Sequence, residues 1–238
     1  MNRSNPCIIA LDVATPAEAL QLVEALGDAQ GFYKVGLELF TAAGVEMVRE
    51  LRRRGKDVFL DLKFYDIPET VKRATAAAAE CGARFLTVHA SAAVVRAAKQ
   101  GAASSGLKIL AVTVLTAFDK NDLEDLGHSR TVEDLVRHLA VKSREAGADG
   151  LVCSPLEVAW LRPLVGAEMT LVTPGVRSAG ADSGDQKRIS TPAQAIRDGA
   201  DYLVIGRQVT RAADPKAELQ RILNELNQSS LKSAQGAA

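Results

Sequence analysis

Eight short apolar runs, rich in β-branched and aromatic residues, punctuate this chain, and stretches with helical periodicity fill the gaps between them. The runs fall at residues 7–11, 32–35, 58–62, 85–88, 109–114, 150–152, 170–172 and 202–205. They are near-continuously apolar rather than alternating, so each reads as a strand buried on both faces, as in a parallel sheet. Helix signals lie between them. Thr15-Pro16-Ala17-Glu18 has the pattern of a capping box with proline at the first helical position, and Thr191-Pro192-Ala193-Gln194 repeats it. Phe40, Ala43, Met47 and Leu51 follow a helical period that ends at Arg52-Arg53-Arg54-Gly55, a solvated helix terminus rather than a nucleic-acid patch. Eight βα units in one continuous chain predict an α/β fold: a TIM (β/α)8 barrel, one domain over residues 1–227. A doubly wound open sheet would want a glycine-rich fingerprint after the first strand. The chain has Leu11-Asp12-Val13-Ala14-Thr15 there, so no nicotinamide or flavin cofactor is expected. Residues 228–238 are small and polar and are expected to fray.

Composition narrows the function. The 238 residues are 47% hydrophobic and 24% charged, with zero net charge. A sizeable core is available, but there is no basic field to hold nucleic acid or an anionic membrane. No apolar run reaches about 18 residues and no run as long as a leader's apolar region follows residues 1–6, so neither a membrane span nor a secretory leader is expected. Cys7, Cys81 and Cys153 lie far apart without a C-x-x-C pair. They read as reduced, buried thiols of a cytoplasmic protein, not a disulfide or zinc site.

The polar residues at the strand ends carry the functional reading, because the active face of a TIM barrel is built there. Asp61-Leu62-Lys63-Phe64-Tyr65-Asp66 follows Val58-Phe59-Leu60 directly, and residues two apart on a strand point the same way. Asp61 and Lys63 are therefore expected side by side, with Asp66 just beyond, where the chain turns. Taken alone, the hexapeptide fits a surface ion-pair cluster with Asp66 capping a helix equally well. Asp12 after the first run and Lys34 in the second add charges at the same rim, and clustered charges there are costly unless they pair or do chemistry. His89 follows the fourth run, Thr113 lies near the end of the fifth, and Thr116 comes just after it. After the last two runs come Thr173-Pro174-Gly175-Val176-Arg177 and Gly206-Arg207. Glycine lets the backbone approach an anion closely and arginine adds charge-assisted contacts, so this corner reads as a phosphate site. Residues 178–186 form a glycine- and serine-rich loop suited to closing over a ligand, with Gln186 at its end.

These residues resemble the orotidine 5'-phosphate decarboxylase family over almost the whole chain. The resemblance rests on Ala10-Leu11-Asp12, Tyr33-Lys34-Val35-Gly36, the run from Asp61 through Ile67-Pro68 to Thr70, and Thr173–Arg177 with Asp185-Gln186 and Gly206-Arg207. It implies a homodimeric barrel converting orotidine 5'-phosphate to UMP and carbon dioxide without metal or organic cofactor. It further implies that Lys63 delivers a proton to C6, that Asp61 lies beside the departing carboxylate, and that Lys34 and Asp66 complete an alternating array. Asp12 and Lys34 would contact ribose, and Thr116 would lie near the nucleotide. Arg177, Gln186, Arg207 and the Gly206 amide would hold the phosphate, while Asp66, Ile67 and Thr70 would reach the partner subunit's site.

Other readings share parts of this pattern. A magnesium-dependent sugar-phosphate decarboxylase or aldolase on a related barrel would share Asp-x-Lys-x-x-Asp but needs a carboxylate ligand where this chain has Lys34, and an ammonium offers a cation no lone pair. A metal-using phosphopentose epimerase needs histidines at strand ends, where only His89 qualifies. His89 is expected as a hydrogen-bonded wall of the site, and His128 and His138 as solvated. A phosphate-ligand-binding barrel without catalysis would have no use for three mutually strained charges. The alanine-rich helix after Pro68 (Ala74, Ala76, Ala77, Ala78) reads from composition as an ordinary barrel helix, so the dimer expectation comes from the resemblance, with twofold symmetry.

Overall fold

The computed structural model of the chain describes residues 5–178 and 190–235. Eight strands, β1 (Cys7–Ala10), β2 (Phe32–Gly36), β3 (Asp57–Phe64), β4 (Phe85–His89), β5 (Lys108–Val112), β6 (Gly150–Val152), β7 (Thr170–Thr173) and β8 (Tyr202–Ile205), close into a barrel. Every pairing is parallel and β1 pairs with both β2 and β8, so no edge is left open. Helices alternate with strands: α1 (Pro16–Leu26), α2 (Leu37–Arg53), α3 (Pro68–Glu80), α4 (Ala92–Gly101), α5 (Lys120–Asp125), α6 (Val132–Glu145), α7 (Val158–Val165), α8 (Pro192–Arg197), α9 (Arg207–Thr210) and α10 (Pro215–Gln235). The fold is a TIM barrel.

Period-2 geometry explains the two cores. Ile8, Ala10, Phe32, Phe59, Phe85, Leu110, Val112, Val152, Val172 and Val204 fill the barrel interior. Their neighbours, Cys7, Ile9, Tyr33, Val35, Val58, Leu60, Leu86 and others, pack outward against the helices. Both faces are buried, which is why the runs are continuously apolar. Continuing the inward parity past the last apolar layer leads from Ala10 to Asp12, from Phe32 to Lys34, from Phe59 to Asp61 and from Phe85 to Thr87. At the opposite end the Arg84 guanidinium lies over the Phe32, Phe85 and Tyr202 rings at 5.0, 5.4 and 5.6 Å, and donates to Asp57 and the Tyr202 hydroxyl.

Thr15 and Thr191 cap α1 and α8, accepting the amides of Glu18 and Gln194 at 3.2 Å each. Several boundaries differ from the sequence expectations. β3 runs on to Phe64, and its register against β4 slips between Leu60 and Phe64. α3 is capped by Ile67 rather than Asp66, whose carboxylate instead accepts the Ile67 amide at 2.6 Å. α10 continues to Gln235, through most of the 228–238 segment expected to fray, because no proline or glycine interrupts it before Gly236. α3 buries Val71, Thr75 and Ala78, and packs against α4 so closely that a Cβ on Gly101 would lie 2.2 Å from the Lys72 carbonyl oxygen. All three cysteines are buried without forming a disulfide, and burial pushes the Cys7 thiol up to about 12. No helix among the described residues is long and apolar enough to cross a membrane.

Candidate active site

A cavity of about 520 Å3 opens at the C-terminal ends of the strands. Its floor is the top of the barrel core, Ala10, Val112, Val152 and Val204, and its walls carry the charges. Four of them alternate in sign along one line. Lys34 Nζ lies 2.7 Å from Asp12 Oδ1 and 3.6 Å from Asp61 Oδ2, and Lys63 Nζ lies 2.8 Å from Asp61 Oδ1. Lys34 and Asp61 are the buried middle of the array, with side chains 9% and 15% exposed, whereas Asp12 is 55% exposed. The register accounts for this: Ala10 pairs with Lys34, and Gly36 pairs with Asp61.

Burial by itself would raise the Asp61 pKa. The Lys34 and Lys63 ammonium groups, with hydrogen bonds from Lys63 and Thr87, outweigh it and hold the carboxyl below its ordinary value. Asp61 is thus a buried carboxylate, available to face another negative charge. Lys63 sits at φ 50°, a left-handed backbone in a residue that is not glycine. Thr87, wholly buried on β4, accepts the Lys63 amide at 2.9 Å and donates to Asp61 Oδ1 at 3.0 Å. Sequence reading missed Thr87. Its position two residues after the inward-facing Phe85 was the available signal.

Across the cavity stand Arg177, Gly206 and Arg207, with Pro174 and Gly175 beside them. Gly175 has φ 77°, where a Cβ would be strained. A Cβ on Gly206 would meet only Ala10 Cβ, at 3.9 Å, so the backbone there stays open to a ligand. Arg177 is largely buried and donates to the Val176 carbonyl at 2.7 Å. Thr116 also lines the cavity, as do Glu38, Thr210 and Arg211, which sequence reading did not single out. The ring of His89 stands edge-on to Tyr65, centroids 5.4 Å apart, outside the cavity lining; burial first and then Lys63 lower its pKa. Asp66, Ile67 and Thr70 are exposed on the outer surface and do not join the array within this chain. Gln186 and most of the 178–186 loop lie outside the described residues. No three His, Cys, Asp or Glu side chains among the described residues are grouped to hold a metal ion.

Fold and site together define a TIM-barrel enzyme whose active face sets a buried carboxylate–ammonium array opposite an arginine- and glycine-lined corner. Residues 5–222 match the model of the "Orotidine 5'-phosphate decarboxylase / HUMPS family". The chain belongs to that family, and it is an enzyme of the carboxy-lyase type for which the relatives below are named. It is 52% identical over 224 residues to the orotidine 5'-phosphate decarboxylase of Bradyrhizobium sp. (strain ORS 278), covering 93% of this chain and 92% of that one. It is likewise 52% identical to the enzyme of the same name from Rhodopseudomonas palustris (strain BisB5), with 93% and 94% covered. Among solved structures, orotidine 5'-phosphate decarboxylase from Lactobacillus acidophilus superposes with a TM-score of 0.83 at 37% identity, covering 94% of this chain and 99% of that one.

Proposed function

We propose that this protein decarboxylates orotidine 5'-phosphate to UMP and carbon dioxide, the last step of de novo pyrimidine nucleotide synthesis, as a cytoplasmic homodimer using neither metal nor organic cofactor. The observation that carries the reading is the Asp12–Lys34–Asp61–Lys63 line of alternating charges across the cavity from Arg177 and Arg207. The phosphate would be held by both arginines, the Gly206 amide and Gln186, with ribose against Asp12 and Lys34 and the nucleotide close to Thr116. The C6–carboxylate bond then breaks, carbon dioxide leaves, and the electron pair stays on C6. The Lys63 ammonium stabilises that charge and gives C6 its proton, becoming a neutral amine that solvent reprotonates. The Asp61 carboxylate, kept ionised by its cationic neighbours, repels the substrate carboxylate in the ground state, and the repulsion leaves with carbon dioxide.

Exposure of Asp66, Ile67 and Thr70 supports a twofold dimer in which these residues complete the partner's site. Tyr65 and Ile67, 71% and 66% exposed, give the same segment apolar surface for a partner to cover. Against a magnesium-dependent sugar-phosphate enzyme stands Lys34, whose ammonium sits between the two carboxylates a divalent cation would need. A spectrophotometric assay with orotidine 5'-phosphate in excess EDTA tests the reading. Full turnover is expected. No turnover, or turnover abolished by the chelator and restored by magnesium, would overturn it.

A further inference from the structure

We propose that Thr87 is a positioning residue for this reaction: a buried hydroxyl that touches no substrate but sets the backbone of Lys63 and the carboxylate of Asp61 in one geometry. The inference rests on the function proposed above and goes beyond the charged array itself.

A threonine hydroxyl has one proton and can accept through its lone pairs. Asp61 Oδ1, 3.0 Å away, belongs to an ionised carboxylate that can only accept, so the proton points there. The lone pair is then left for the Lys63 amide, 2.9 Å away. Both bonds have a single possible direction, and both end on groups of the array. The amide is the informative one. In a regular ladder the Lys63 N–H would bond a backbone carbonyl of the adjacent strand, but here the β3–β4 register slips between Leu60 and Phe64 and Lys63 turns to φ 50°. A side chain replaces the ladder partner at the one residue whose backbone leaves the strand. Non-glycine residues persist in that region only where their surroundings hold them.

The clamp also orients the carboxylate. Oδ1 accepts from both Thr87 and the Lys63 ammonium, while Oδ2 faces Lys34. Rotation of Asp61 would break contacts with three groups. Thr87 is fully buried and absent from the cavity lining, so any effect on turnover must pass through the residues it holds.

Thr87→Val keeps the shape and removes the hydroxyl. It is expected to lower kcat on the order of 10- to 100-fold, the scale of a misplaced reacting group, with KM changed less than about threefold. Thr87→Ser, which restores the hydroxyl, should return kcat to within about threefold of the parent. A Thr87→Val enzyme with a lowered melting temperature but unchanged kcat would show a merely structural role and overturn the proposal, as would a serine variant no better than valine. If valine prevents folding, Thr87→Ala repeats the comparison. If the parent itself fails to turn over orotidine 5'-phosphate, the functional reading fails separately. Crystal structures of parent and variant then still decide the clamp. Lys63 leaving positive φ with its ammonium more than about 4 Å from Asp61 supports it, and an unmoved array overturns it.

Discussion

The Lys34 ammonium occupies the space a side chain at Gly36 would need: a Cβ there would lie 2.7 Å from Lys34 Nζ and 3.0 Å from Asp12 Oδ1. Gly36 has φ −96° and ψ −174°, which any residue can adopt, so its requirement is steric rather than conformational. The displaced atoms are the ends of flexible side chains, and Gly36→Ala should cost at most about 1 kcal/mol of stability. The same substitution pushes Lys34 off the Asp12–Asp61 axis and should lower kcat/KM about 10- to 100-fold. Steady-state kinetics beside a thermal melt checks both halves.

Lys63→Ala removes the proton donor and one of the two ammonium groups beside Asp61. General acid catalysis contributes about 10²- to 10⁴-fold and preorganised charge a further 10²- to 10³-fold, so turnover should fall at least about 10⁴-fold. Affinity for UMP, measured by calorimetry, should remain readily measurable, because the phosphate corner is intact. Surviving turnover would remove Lys63 from the mechanism.

Arg207→Ala tests the phosphate corner. Hydrogen bonds to charged groups are worth about 1.5–3 kcal/mol, so the KM for the nucleotide should rise about 10- to 100-fold. Weak binding of the dephosphorylated nucleoside should not change. Equal losses for both ligands would mean that Arg207 shapes the cavity rather than recognising phosphate. Lysine at this position should rescue only partly, since it lacks the bidentate fork.

Shared sites make a complementation test possible. Lys63→Ala and Asp66→Asn subunits are each expected to form inactive homodimers. Mixed by reversible unfolding, half the dimers would be hybrids with one intact site in two, restoring about a quarter of parental activity. No recovery, or a monomer in sedimentation equilibrium, would contradict the dimer. Ile67→Asp, which places a charge on the exposed apolar surface, should yield monomers of low activity.

Stability should fall with acid in two steps. The His89 pKa is lowered by burial and by Lys63, so the unfolded chain takes up this proton near pH ~6.5 and the folded chain only at lower pH. Protonation therefore favours unfolding, and stability declines from about pH 6.5 until the folded pKa is passed. The Asp61 pKa is also lowered, so its contribution is present above an unfolded value of about 3.9 and disappears as pH falls through the folded one. Denaturant midpoints followed from about pH 7 to well below about pH 3.9 should show both steps, with His89→Asn flattening only the first.

Alternating apolar runs and helix caps were enough to read eight βα units, because burial on both faces and local hydrogen bonds leave their mark on adjacent residues. The charges destined for the rim were legible for the same reason: Asp12, Lys34 and Asp61 continue an inward parity set two residues earlier. Tertiary structure decided what parity cannot carry. Lys63 meets Asp61 not along a regular strand but through a left-handed residue held by Thr87, 24 positions away in the chain. Asp66 follows three residues after Lys63 yet faces outward, since the chain has already turned towards α3. Gly36 is needed because of where Lys34 points once Asp12 is brought across from β1. Each of these depends on atoms that become neighbours only when the barrel closes, and a one-dimensional pattern holds no record of them.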